Sequence, residues 1–148
     1  MSASNAFETS ILQHIFQNAD IANIGDATGL RGSTTAGSLH VSLHTADPGE
    51  AGAQNTSEVS YTGYARQAVA RSGSGWTVSG NNASNASPVV FGPCTAGSAT
   101  ITHFGIGTSS SGAGNLLFKG ALTASISVTT SSNATQTFAI GVLDVDVD

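Results

Sequence analysis

Four histidines, one cysteine and an alternating run of aspartates are the side chains through which this chain could do chemistry. His40 and His44 fall on one face of the same alternating segment and could share a transition metal, with His103 as a further ligand. Four residues of strand span roughly 13 Å, whereas zinc needs each imidazole nitrogen at about 2.1 Å, so a bulge or a neighbouring strand would have to intervene. Solvent-facing or hydrogen-bonded histidines are the simpler expectation. Asp144, Asp146 and Asp148 would space three carboxylates about 6.5–7 Å apart on one strand face, a geometry open to weak Ca2+ binding. No Gly turn or closing Glu follows them, and acids on an edge strand also guard against edge-to-edge pairing, so no metal is expected.

Nucleophiles are equally unsupported. Serine is abundant, but no Gly-x-Ser-x-Gly elbow occurs, and His14, His40, His44 and His103 have no triad context. Cys94 sits between Pro93 and Thr95 beside no cation, which predicts an inert thiol. Gly105-Ile-Gly107 with Gly112-Ala-Gly114 superficially suggests a phosphate-binding loop, but no Lys-Ser/Thr follows. The spacing predicts a hairpin instead: Gly105 and Gly107 end one strand, Thr108 to Gly114 turn, and Asn115 opens the next. Trp76, Tyr61 and Tyr64 could form an aromatic platform for sugar rings, although core packing is the default for so few aromatics. No catalytic residue, cofactor or metal is therefore expected, and the chain does not read as an enzyme.

Composition points to assembly. The 148 residues suit one main domain, and 39% are hydrophobic, enough for a core. Only 9% are charged, against about 25% in ordinary soluble domains. Runs such as Thr28 to Ser38, Ser79 to Ser87 and Thr129 to Thr137 wet the surface with hydroxyls and amides. Such a surface is cheaper to desolvate than one of lysines and glutamates, which favours tight contact with other proteins. The formal charge is −5, with Arg31, Arg66, Arg71 and Lys119 the only strong cations. No basic stripe exists for nucleic acid or anionic membrane. Cys94 cannot form an internal disulfide, no apolar stretch approaches a membrane span, and Met1 to Asn5 lack a secretory signature, which predicts synthesis in a cytoplasm. Glycosylation-type triplets at Asn55, Asn82, Asn85 and Asn133 are expected by chance in this composition.

The elements follow from periodicity. Phe7, Ile11, Leu12, Ile15, Phe16 and Ala19 recur at helical spacing, which predicts a helix over Asn5 to Asn18, with Asn5 as cap and Glu8 reaching back to it. Asp20 to Ser38, rich in Gly, Ser and Thr, reads as a connecting arm. From Leu39 the period changes to two: Leu39, Val41 and Leu43 oppose His40, Ser42 and His44, up to the turn Asp47-Pro48-Gly49. Further strands are expected over Tyr61 to Arg71, Gly75 to Ser79, Pro88 to Phe91, Ala99 to Gly107, Asn115 to Gly120, Ala121 to Thr129 and Gln136 to Val142. Phe138, Ile140 and Val142 share a face there, and parity slips at Leu143, as a bulge or a strand leaving its sheet would cause. The expectation is an all-β jelly roll or β-sandwich of about eight strands after one N-terminal amphipathic helix. Residues 1–38 would form the helix and arm, and residues 39–148 the β domain.

The segments Leu39-His-Val-Ser-Leu-His-Thr-Ala-Asp-Pro-Gly-Glu50, Glu58-Val-Ser-Tyr-Thr-Gly-Tyr-Ala-Arg66, His103-Phe-Gly-Ile-Gly107 and Asn115-Leu-Leu-Phe-Lys-Gly-Ala-Leu122 resemble small virion proteins of tailed bacteriophages. The resemblance is to head-decoration, or capsid cement, proteins that are often labelled tail-fibre proteins. It implies β-sandwich or jelly-roll subunits on the capsid surface of the virion, forming a homotrimer and binding the major capsid protein. The helix face Phe7, Ile11, Leu12, Ile15 and Phe16 would then be the partner contact, buried within the trimer or against the shell. A tail or tail-fibre component contacting the host is the alternative. A hydrolase would need a pocket bringing His103 to an acid.

Overall fold

In the computed structural model, which describes residues 2–132 and 135–147, the helix α1 spans Asn5–Gln17. Its N-cap is Ser4, whose carbonyl accepts from Phe7 and Glu8. The expected capping box at Asn5 does not form: Asn5 is already helical, and no side chain caps the first turn. The other end is closed twice. Asn18 adopts left-handed φ of 60° and the Ala19 N–H reaches Gln13 O at 3.2 Å, which turns the chain out of the helix. Arg71 donates Nε to Ile15 O and Nη2 to His14 O, each at 2.6 Å, so its charge meets the negative end of the helix and its unpaired carbonyls.

Leu12 and Phe16 are fully buried, and Phe16 meets Trp76 edge-on at 4.6 Å between ring centroids. Trp76 begins β3 (Trp76–Ser79), which pairs antiparallel with β4 (Asn82–Asn85), and β4 pairs with β9 (Asp144–Asp146). With the arm of residues 20–38 these elements form one compact unit, Met1–Ser38, Val69–Val89 and Phe138–Asp148. The arm is ordered by its own polar groups. Asp20 accepts from the Gly32 N–H at 2.8 Å and from Arg31, Asp26 accepts from Thr28 and Gly29, and Ile21 bridges Leu30.

The other unit, Leu39–Ala68 with Val90–Thr137, is built on long antiparallel strands. One sheet has the order β2-β1-β6-β7, from β1 (Ser38–His44), β2 (Gln67–Ala70), β6 (Ser98–Gly107) and β7 (Leu116–Thr129), of which β6 and β7 and β1 from Leu39 on lie within this unit. Leu39, Val41 and Leu43 are buried as their alternation requires, and Ile101 and Ile106 join them in the core. The hairpin between β6 and β7 forms as expected: Gly107 opposes Leu116, and Thr108 N donates to Asn115 O at 3.0 Å. Leu116–Thr129 is one strand where two, Asn115 to Gly120 and Ala121 to Thr129, were expected, and it is interrupted by a bulge: the register jumps between Ile101 and His103, leaving residues 122–125 of β7 opposite Thr102 alone.

The remaining pair is β5 (Val89–Phe91) with β8 (Gln136–Phe138). The chain is therefore mostly β, with nine strands among the described residues and one N-terminal helix. Tyr61 to Arg71 contracts to β2, because Tyr61 to Arg66 is drawn into turns and side-chain hydrogen bonds. β4 was absent from the expected set. Its inward residues are Ala83 and Asn85, both fully buried but neither giving an apolar alternation signal. The parity slip at Leu143 marks a real departure: β8 ends at Phe138, the chain turns at Gly141 (φ 73°), and β9 pairs with β4.

Candidate functional site

The densest polar constellation lies in the unit built on β1 and β6, within the Glu58 to Arg66 segment. Arg66 Nε and Nη2 bind Glu58 Oε1 and Oε2, each at 2.7 Å, a bidentate pair in which the Arg side chain is 2% exposed and the Glu side chain 16%. The Tyr64 hydroxyl donates to the same Glu58 Oε1 at 2.7 Å and accepts from the Leu43 N–H at 3.1 Å. Its ring stacks on Phe91 at 6.0 Å. Burial and the Glu58 hydrogen bond push the Tyr64 hydroxyl far above its ordinary pKa, and the Glu58 hydrogen bond raises Arg66 further. Both charges are thereby committed to each other.

This cluster grips the β6–β7 loop. Arg66 Nη1 and Nη2 donate to Ser109 O at 2.8 Å and Gly112 O at 2.6 Å. The wholly buried Gln54 donates Nε2 to His40 O, accepts from the Ser109 N–H, and its backbone N–H reaches Ala113 O at 2.7 Å. A Cβ on Gly107 would lie 2.4 Å from the Gln54 carboxamide, so Gly is required where the loop leaves β6. The result is a fixed, exposed Ser110-Ser111-Gly112 tip beside a groove of about 330 Å3 that Glu58, Tyr64 and Arg66 also line. Hydroxyls and backbone groups can be offered there. No free acid or base is.

A serine and a histidine do come together. Ser42 Oγ lies 2.8 Å from His44 Nε2, while His44 Nδ1 is 2.8 Å from Thr56 O, which fixes Nδ1 as the donor. Both residues are wholly buried, and the space beside Nε2 belongs to Gly105, where an added Cβ would sit 2.7 Å away. Burial also holds the His44 pKa below its ordinary value. Register places His103 directly opposite His44 and His40 opposite Gly107. Both His44 nitrogens are already used, and no group of three metal-binding side chains exists among the described residues.

Asp144 and Asp146 are exposed on the edge strand β9, and Asn82 Nδ2 donates to both. Asp148 lies outside the described residues. The sugar platform does not form: Trp76 is fully buried beneath α1, and Tyr61 is 4% exposed with its hydroxyl donating to Gly92 O. Cys94 is buried, its thiol directed at the Ala96 and Gly97 carbonyls. On the helix, Leu12 and Phe16 are packed in the chain's own core, Ile11 and Ile15 are partly buried, and Phe7 is exposed.

A second preorganised feature was not expected. Asn85, wholly buried, donates Nδ2 to Ala139 O at 2.8 Å, accepts the Leu143 N–H on Oδ1 at 2.9 Å, and its carbonyl takes the Gly141 N–H at 2.9 Å. This clamp holds a tight turn that presents Ile140 and Val142 outward, 64% and 57% exposed. Their alternation with Phe138 suggested an inward face. Gly141 was the one local sign of a turn.

A family model described as podophage GP4 fiber I protein gp80 matches residues 2–146. The chain belongs to this family of phage structural proteins. No curated protein shows a match to it.

Proposed function

We propose that this chain is a non-enzymatic subunit of the phage tail-fibre apparatus, acting through protein contacts made by preformed surface turns. The observation that carries this reading is the fibre-family match over residues 2–146. The capsid-cement reading draws no support from that match, whose description names a fibre, and the tail-fibre alternative replaces it as the preferred one. The chemistry of the chain is consistent with this. Its buried ion pair and its Ser42–His44 pair are consumed in holding backbone, so these groups are spent on shape. Rigid loops reduce the ordering cost of association. Partners are other protein subunits, including further copies of the chain, and neither nucleic acid nor membrane.

Separating heads from tails of purified virions and quantifying this chain in each by mass spectrometry tests the proposal. The chain is expected in the tail fraction. Recovery with DNA-filled heads, and not with tails, would overturn the fibre reading in favour of cement.

A further inference from the structure

Ile140 and Val142, on the Ile140-Gly141-Val142 turn, are the most exposed large apolar side chains among the described residues, at 64% and 57% against 47% for Leu30 and 46% for Val90. Exposing two β-branched residues side by side is unfavourable in water, yet the molecule uses a fully buried Asn85 to lock them outward. The flank of the turn is acidic: Asp144 and Asp146 are exposed, with Asn82 holding them on one side of β9. We propose that this turn is a docking knob for a different virion protein, one that offers an apolar socket rimmed by lysine or arginine. The inference rests on the chain being a virion component.

Charge decides against a second copy as the occupant. The chain has four Lys and Arg residues, and each is already engaged. Arg31 binds Asp20, Arg66 binds Glu58, Arg71 caps α1, and Lys119 sits between Asp47 and Glu50 at 3.0 and 3.1 Å. Another copy offers Asp144 and Asp146 only Lys and Arg side chains already paired within it, and its own net charge of −5 opposes the approach. Acids on β9 also discourage strand addition at that edge, which leaves insertion of the knob as the mode of contact. Two side chains form the hot centre of an interface whose rim lies beyond them.

Phage carrying Ile140→Ser with Val142→Ser, and phage carrying the milder Ile140→Thr with Val142→Thr, test this by copy number of the chain per purified particle. Thermal unfolding of the isolated variants serves as the folding control. Copies should fall roughly tenfold or more for the serine pair, with the unfolding midpoint unchanged. Binding of the wild-type chain to particles lacking it should weaken with added salt, and Asp144→Asn with Asp146→Asn should remove most of that salt dependence. Wild-type occupancy of both knob variants, or salt-independent binding of the wild type, would overturn the inference. So would wild-type self-association in isolation that the serine pair abolishes, since the socket would then be another copy. Particles with no wild-type chain at all would instead sink the fibre reading beneath it.

Discussion

Arg66 keeps its charge away from the solvent. Its side chain is almost fully buried, and its bonds to Glu58 and to two loop carbonyls leave no uncompensated charge. Removing one partner of such a pair strands the other, so Glu58→Gln or Arg66→Met is expected to cost about 3–5 kcal/mol in urea unfolding. A cost below about 1 kcal/mol, typical of a surface pair, would show that the pair is solvated. His44 gives a pH signature. Burial lowers its pKa below the 6.5 of the unfolded chain, so the unfolded state binds the extra proton and stability must fall as pH drops below about 6.5. His40, lowered chiefly by burial, acts in the same direction. The unfolding midpoint should decline between pH 7 and pH 5, and His44→Gln should flatten part of that decline. A midpoint that rises on acidification would contradict the burial account. From sequence, Glu58, Tyr64 and Arg66 stood together only in a phage-like segment, with Tyr64 otherwise read as part of a sugar platform. Their roles depend on the Ser109 and Gly112 carbonyls, 43 and 46 residues beyond Arg66, and no local pattern encodes that.

Elements were legible where they carried large alternating side chains. β1 and β6 and the hairpin of Thr108 to Asn115 follow directly from Leu39, Val41, Leu43, Ile101 and Ile106 and from the glycines between. β4 was invisible because Ala83 and Asn85 do the inward work that Val or Ile usually does. The helix was legible, but its cap was misplaced by one residue and its C-terminal stop is supplied by Arg71, 56 residues after Ile15. Close packing of β6 on its neighbours supplies the test at this scale. At Gly105 an added Cβ would lie 2.7 Å from His44 Nε2 and 2.8 Å from both Ser42 Oγ and Leu116 Cδ1. Gly105→Ala should therefore destabilise by about 1–3 kcal/mol and disturb the His44 titration with it. Unchanged stability by calorimetry would mean that the strand interface is looser than described.

For the whole molecule, low charge and abundant hydroxyls indicated assembly without saying where. The phage resemblance supplied the virion, and its preferred location, the capsid surface, is not the one that the fibre-family match favours. Two compact units hold two preformed projections, the Ser110–Gly112 tip and the Ile140–Val142 knob, each locked by buried polar side chains. The Thr108 to Gly114 turn was legible in the sequence but neither clamp was, because a buried Asn or Arg that clamps a turn looks the same in a string as a solvated one. A protein in which buried Gln54, Arg66 and Asn85 fix surface turns is suited to binding, and its place in the particle follows from what those turns touch. Cryo-electron microscopy of the intact virion measures that place directly. Density fitting this chain should lie below the neck, among the fibres, with the Ile140–Val142 turn covered by another protein; density arrayed over the head shell, with the fibres accounted for without it, would contradict the account.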